Sequence, residues 1–352
     1  MTRFEWRGVM LDVARHFFGV ADVKRFVDVV ARFGFNRLHL HLTDDQGWRI
    51  EIRSWPLLTE IGGMSAVGGG TAGFYTQRDY AEIVEHAASR DVVVVPEVDM
   101  PGHVNAAVVA YPELSLPGVE TLPYTGTEVG FSCLDVTKPH VLEFVDDVLR
   151  EVAELTPGPY LHVGGDEVFK IPHEHYVSFV EHLCARARAH GKQPVGWEEV
   201  AQARLEPGTI VQHWKSAEHT REAVRQGARV IMSPATRTYF DLKYDAETKI
   251  GTEWAGHVSV RDAYEWDPVT QVDGVAEADV LGVEACLWSE TMPTLADVEF
   301  MAFPRLLALA EVAATRREDR RWEDIRKRLP AVGRDLDELG VSYFRSPDVD
   351  WA

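Results

Sequence analysis

Eight short runs of apolar and β-branched residues recur along the chain, at positions 8–13, 37–42, 92–98, 160–163, 193–197, 209–214, 229–233 and 280–288. Each has the length of an interior strand and is too short for a helix. Between the first two runs, Val23, Phe26, Val27, Val30 and Phe33 follow helical spacing and Gly34 supplies a stop. A helix that connects two strands implies that the strands are parallel. The same order returns with helical patterns over 79–89, 138–155, 175–190 and 216–226, the last two followed by Gly191 and Gly227. Eight strands alternating with helices predict an α/β fold of the (β/α)8 TIM barrel type. The alternative is a doubly wound open sheet, but no G-x-G-x-x-G follows the first run.

With 352 residues, 45% of them hydrophobic, the chain can fill one large core, so 1–352 is read as a single domain closed by helices over 300–314 and 322–340. No stretch approaches the roughly 18 consecutive apolar residues of a membrane helix, and the opening MTRFEWR lacks the apolar core of a signal peptide. A cytoplasmic chain with no membrane partner is expected. Cys133, Cys184 and Cys286 are odd in number and far apart, which suggests neither a disulfide framework nor a cysteine zinc site. The formal charge of −20 repels phosphate backbones, so nucleic acid is not an expected partner. Three connections, 43–75, 110–135 and 240–279, are too long for simple turns. All should lie at the C-terminal face of the barrel, where such enzymes place their sites.

At the end of the fourth run, Gly164-Gly165 lets the backbone turn tightly before two adjacent acids, Asp166 and Glu167. Neighbouring acids that are not both well solvated separate in pKa, leaving one protonated beside one ionised, which is equipment for glycosidic or acyl chemistry. The other strand ends carry Glu97 to His103, Trp197-Glu198, His213-Trp214 and Trp288-Ser289-Glu290. Carboxylates and tryptophans together suit a pyranose, which presents a C–H face to aromatic walls and a rim of hydroxyls to acceptors. Histidines allow a competing account: His39 and His41 share one strand face and, with His162 and His213, could hold a metal inside the barrel. The plainer account of His39 and His41 is inward side chains hydrogen-bonded within the barrel. Neither a P-loop nor a G-x-S-x-G elbow is present.

Taken together these residues resemble glycoside hydrolase family 20, the β-N-acetylhexosaminidases. The matching segments are RGVMLD at 7–12 with RHFF at 15–18, HLHLTDDQGW at 39–48, PEVDMPGH at 96–103 and HVGGDE at 162–167. They continue with VGWE at 195–198, VQHW at 211–214, YFDLKY at 239–244 and GVEACLWSE at 282–290.

The resemblance implies an exo-acting, retaining enzyme that releases terminal β-linked GlcNAc or GalNAc by substrate-assisted catalysis, without metal or other cofactor. It implies Glu167 as general acid with the raised pKa, Asp166 as the ionised partner that orients the acetamido N–H, and Tyr239 as donor to the acetamido oxygen. It further implies that Trp197, Trp214 and Trp288 line the pocket and that Arg7, Asp241 and Glu290 hold sugar hydroxyls. Trp254 would stack on the leaving sugar, with Asp99, His103 and His162 supporting the catalytic pair from behind. The partners expected are β-N-acetylhexosaminide oligosaccharides, chitin fragments among them, or glycoconjugates. Family members usually carry a small α+β domain before the barrel; its absence is expected here, and the uncovered helices leave room for a homo-oligomer. The alternatives are a catalytically silent sugar-binding barrel and a metal-dependent barrel hydrolase.

Overall fold

The eight runs form eight parallel strands of a closed barrel, in a computed structural model that describes residues 2–351. Met1 and Ala352, the ends of the predicted domain, lie outside the described residues. The strands are β1 (Trp6–Asp12), β2 (Arg37–His41), β3 (Val93–Glu97), β4 (Tyr160–His162), β5 (Gln193–Trp197), β6 (Ile210–His213), β7 (Arg229–Met232) and β8 (Val280–Leu287). Each pairs with its neighbours in sequence, and β1 pairs with both β2 and β8, which closes the ring. Helices cover the outside. The first, Val20–Arg32, buries Val23, Phe26, Val27 and Val30 as their spacing requires. The helix Gln77–Ala88 starts where Thr76 accepts from the Asp79 N–H and Asp79 accepts from the Thr76 N–H, a reciprocal cap.

One predicted helix is broken. Residues 300–314 do not form a single helix, because Pro304 has no N–H to continue the ladder; the chain makes Leu295–Ala302 and then Arg305–Ala314. The final helix runs over Trp322–Glu338.

The middle of the barrel is polar. His39 lies between Glu97 and Glu284 at 2.9 and 2.8 Å, and His41 between Glu97 and Asp44 at 2.5 and 2.8 Å. Trp6 and Trp197 donate their indole N–H groups to Glu284 and Glu97. Burial opposes charge on His39, but the two carboxylates outweigh it and hold the ring's pKa up at about 9. The inward histidines are therefore hydrogen-bonded barrel residues. One ligand atom each from His39, Glu97 and His162 fall within 4.8 Å of one another, yet both His39 nitrogens already face carboxylates, which is poor provision for a metal.

The long connections are pinned from beneath. Arg49, fully buried, donates to the carbonyls of Val13, Ala14, Gly63, Ser65 and Gly73 and so anchors the 43–75 segment. Arg305 does the same for the 240–279 segment through the carbonyls of Phe240, Leu242 and Val258. A planar guanidinium with five donors suits this task, since loop carbonyls buried without partners are costly. Among the described residues no helix is long and apolar enough to cross a membrane.

Candidate active site

After β4 the backbone turns through positive φ at Gly164 and Gly165, 66° and 99°, and again at Glu167, 51°. A β-carbon on Gly164 would stand 1.7 Å from Asp99 Oδ1, the oxygen that accepts the Gly165 N–H at 2.9 Å. The glycine pair thus lets β4 end against the Asp99 carboxylate and aims the next two acids into the mouth of the barrel. Gly164→Ala is expected to displace Asp99 and the acid pair together and to cut kcat/KM on the order of 10²-fold or more, the scale of an ångström misplacement. Steady-state rates of a variant whose circular dichroism is unchanged would check this.

A cavity of about 480 Å³ opens at this face, within the usual size range of small-molecule sites. Asp166, Glu167, Tyr239, Trp214, Trp254, Trp288, Asp241 and Glu290 line it, and Asp99 and His103 reach it from below. The Tyr239 ring lies nearly parallel to Trp214, with centroids 6.2 Å apart and planes at 10°, and 6.1 Å from Trp288. Trp254 stands at the rim, 58% exposed. At the opposite end Arg15 is buried against Asp44 at 2.8 Å, Asp12 at 3.4 Å and Glu290 at 3.7 Å. Its guanidinium also lies 5.0 Å from the Trp288 ring. Buried oxygens of Asp166 (Oδ1), Asp241 (Oδ1) and Glu290 (Oε2) accept from no protein donor, so the cavity presents acceptors to a ligand rich in O–H and N–H groups.

Burial and the charges of Asp99 and Glu167 hold the Asp166 carboxyl well above the ordinary aspartate range. Burial also acts to raise Glu167, but the nearby His103, 3.6 Å away, with Lys215 beyond, outweighs it and leaves this carboxyl below its usual value. His103 sits 3.2 Å from Asp44, 3.7 Å from Asp166 and 3.6 Å from Glu167. Those acids overcome its burial and hold the ring protonated. This reverses the expected order within the pair for the free site: Asp166 keeps the proton and Glu167 is the anion. The reason is position, since Asp166 points inward toward Asp99 whereas Glu167 is partly solvated beside two cations. Burial and Glu290 raise Asp241 to about 8, and burial keeps Tyr239 a neutral hydroxyl.

A model of the glycosyl hydrolase family 20 catalytic domain matches residues 4–316. The chain belongs to glycosyl hydrolase family 20. It is 47% identical over 352 residues to a β-N-acetylhexosaminidase of Cellulomonas fimi, an alignment spanning 99% of this chain and 71% of that one. Among solved structures it superposes on the family 20 β-N-acetylhexosaminidase of Streptomyces coelicolor A3(2) with a TM-score of 0.97 at 47% identity, covering all of this chain and 72% of the other. A mutant Streptomyces plicatus β-hexosaminidase in complex with its product GlcNAc matches with the same identity, coverage and TM-score. A family 20 barrel is a glycoside hydrolase.

Two residues of this family 20 chain expected to contact the sugar, Arg7 and Trp197, are not among the residues lining the cavity, and His162, expected behind the catalytic pair, lies inside the barrel. Arg7 stands at the start of β1, at the N-terminal face, where it donates to the carbonyls of Gly34 and Phe4. Arg15, in the same matching segment but past the end of β1, lines the cavity instead. Trp197 is 1% exposed and packs against Trp288 at 5.8 Å while its N–H is spent on Glu97; it supports a wall and is not among the lining residues. His162 accepts from the Gly164 N–H and stacks on His39 inside the barrel. Glu199 and Lys215 are among the lining or supporting residues that escaped the sequence reading. Glu199 accepts the Trp214 indole N–H at 3.1 Å, and Lys215 borders Glu167.

Proposed function

We propose that this family 20 hydrolase removes terminal, non-reducing β-linked N-acetylhexosamine residues with retention of configuration, the substrate supplying its own nucleophile. The observation that carries the reading is the convergence of Asp166 and the neutral hydroxyl of Tyr239 on a cage of Trp214 and Trp288 beside Glu167. An acetamido group has a methyl for the aromatic cage, an N–H for a carboxylate and a carbonyl oxygen for a hydroxyl donor. The alternative nucleophile across the cavity, Asp241, has its pKa raised to about 8 and is protonated at neutral pH, which disfavours direct attack by the enzyme.

In the reaction the acetamido oxygen bonds to the anomeric carbon as the glycosidic bond breaks, and Glu167 passes its proton to the departing oxygen. Asp166 accepts the acetamido N–H and offsets the positive charge that develops on the oxazolinium ring. A water then gives its proton to Glu167 as it attacks the anomeric carbon, reopening the acetamido group. Ligand binding must therefore exchange the proton within the pair. The acetamido N–H stabilises the Asp166 anion, and a covered mouth strips solvent from Glu167 and favours its acid form. Arg15, Asp241 and Glu290, which line the cavity together, serve the hydroxyls of the terminal sugar.

Release of the aryl group from aryl β-N-acetylglucosaminide or its galacto epimer tests the activity, and proton NMR of the first hemiacetal tests the stereochemistry. The β-anomer is expected to form first; no turnover of either epimer would overturn the activity, and an initial α-anomer would overturn the retaining course.

A further inference from the structure

Lys215 is the outward-facing cation of the site. Its Nζ lies 4.0 Å from Glu167 Oε1 with the side chain half exposed, and 3.8 Å from the centroid of the Trp214 ring, over which it rests. Its backbone is not free to wander. The buried Glu198 carboxylate accepts the N–H groups of Trp214, Lys215 and Ser216, at 2.9 Å for Lys215 and 2.5 Å for Ser216. The other cations at the cavity are spoken for: Arg15 is buried among three carboxylates, and His103 is buried against Asp44. Glu167 is the group that must touch the departing oxygen, so a cation reaching Glu167 from the solvent side borders the departing portion of the substrate and not the sugar held by Arg15 and Glu290. When Glu167 takes up the proton it needs as an acid, Lys215 loses the carboxylate charge nearest its ammonium as the leaving group arrives, with Glu199 the more distant acid left to it.

We propose that Lys215 is a specificity-determining residue for the leaving group, favouring hexosaminides whose departing portion carries a carboxylate near the scissile bond, as a uronic acid does. The inference rests on the hexosaminidase reading and adds the chemistry of the group on the far side of the bond. A carboxylate there takes the place of the Glu167 charge beside Lys215. A neutral leaving group leaves the ammonium facing a protonated acid. The interaction is half solvated, so its effect is modest and salt-sensitive.

The test uses a pair of aryl β-N-acetylglucosaminides, one bearing a ring carboxylate and the other a neutral carboxamide at the same position. The quantity read is the ratio of their kcat/KM values in each protein, which cancels any change common to both substrates; comparing that ratio between proteins cancels the intrinsic difference between the two leaving groups. From wild type to Lys215→Gln this ratio is expected to fall roughly two- to fivefold, to fall further in Lys215→Glu, and to hold in Lys215→Arg. Added salt should lower it in the wild type and leave it flat in Lys215→Gln. Turnover of both substrates with the same ratio in all four proteins would overturn this inference alone. Failure of the wild type to turn over either substrate would overturn the activity and this inference with it.

Discussion

Glu167→Gln is expected to lose about 10² to 10⁴ of its kcat/KM on substrates with poor leaving groups, the usual worth of a general acid, and far less on an aryl glycoside whose phenolate departs unaided. Asp166→Asn should instead lose on the order of 10² to 10³ on both, because ring closure by the acetamido group precedes or accompanies departure whatever the leaving group, and the neutral amide no longer offsets the developing charge. Equal sensitivity to leaving group in the two variants would reverse the assigned roles. The thermal melts should diverge as well. Asp166 has a folded-state pKa well above its ordinary value, so the native protein binds a proton that the unfolded chain releases above about pH 4. Its contribution therefore falls as pH rises through that range, and the fold bears the cost at neutral pH. Asp166→Asn removes this cost and should melt higher than wild type at pH 7, with the gap closing toward pH 4. An inactive variant that melts higher cannot owe its inactivity to misfolding.

The second large effect separates two arginines eight residues apart in the same segment. Arg15→Met takes the cation from Asp12 and Asp44, both withdrawn from solvent, and from the partly exposed Glu290, and the cost of stranding such buried charges is about 3–5 kcal/mol. Activity should be lost with it, since Asp44 also braces His103 and Glu290 lines the cavity. Arg15→Lys keeps the charge but not the fork that spans several carboxylates and should recover only part of either quantity. Arg7→Ala touches only carbonyls and Thr2 at the other end of the barrel, and its kcat/KM should stay within about twofold of wild type. Thermal melts and aryl glycoside assays on the three variants decide the matter. Loss of activity in Arg7→Ala with retention in Arg15→Met would overturn the placement.

That pair also marks where sequence reading succeeds and where it stops. All eight strands were legible, because an interior parallel strand is buried on both faces and must be a short apolar run. The strand-end rule also located Asp166, Trp214, Trp288 and Glu290, which line the cavity. Applied strictly it would have chosen Arg15, past the end of β1, over Arg7 at its start; the spacing carried that signal. Trp197 is different. It does follow a strand to its end, but whether an indole faces the cavity or the ring of polar residues beneath it depends on Glu97 of another strand, about a hundred positions away. Glu199 and Lys215 depend in the same way on contacts with neighbouring strand ends, to which periodicity is blind. The order of protonation in the acid pair was unreadable for a related reason: it is set by what lies beside each carboxyl, Asp99 for one and His103 with Lys215 for the other.

The end of the cavity that Arg15 and Glu290 line straddles the seam where the ring closes. The Ser289 N–H donates to Asp12, the His16 N–H to the Ser289 hydroxyl, and Arg15 faces Glu290, contacts that join residues more than 270 positions apart. Contacts so distant in sequence are the slowest to be reached in folding. Recovery of turnover after dilution from denaturant should consequently lag the recovery of helical circular dichroism, so that catalysis itself becomes the clock for the final stitch of the barrel.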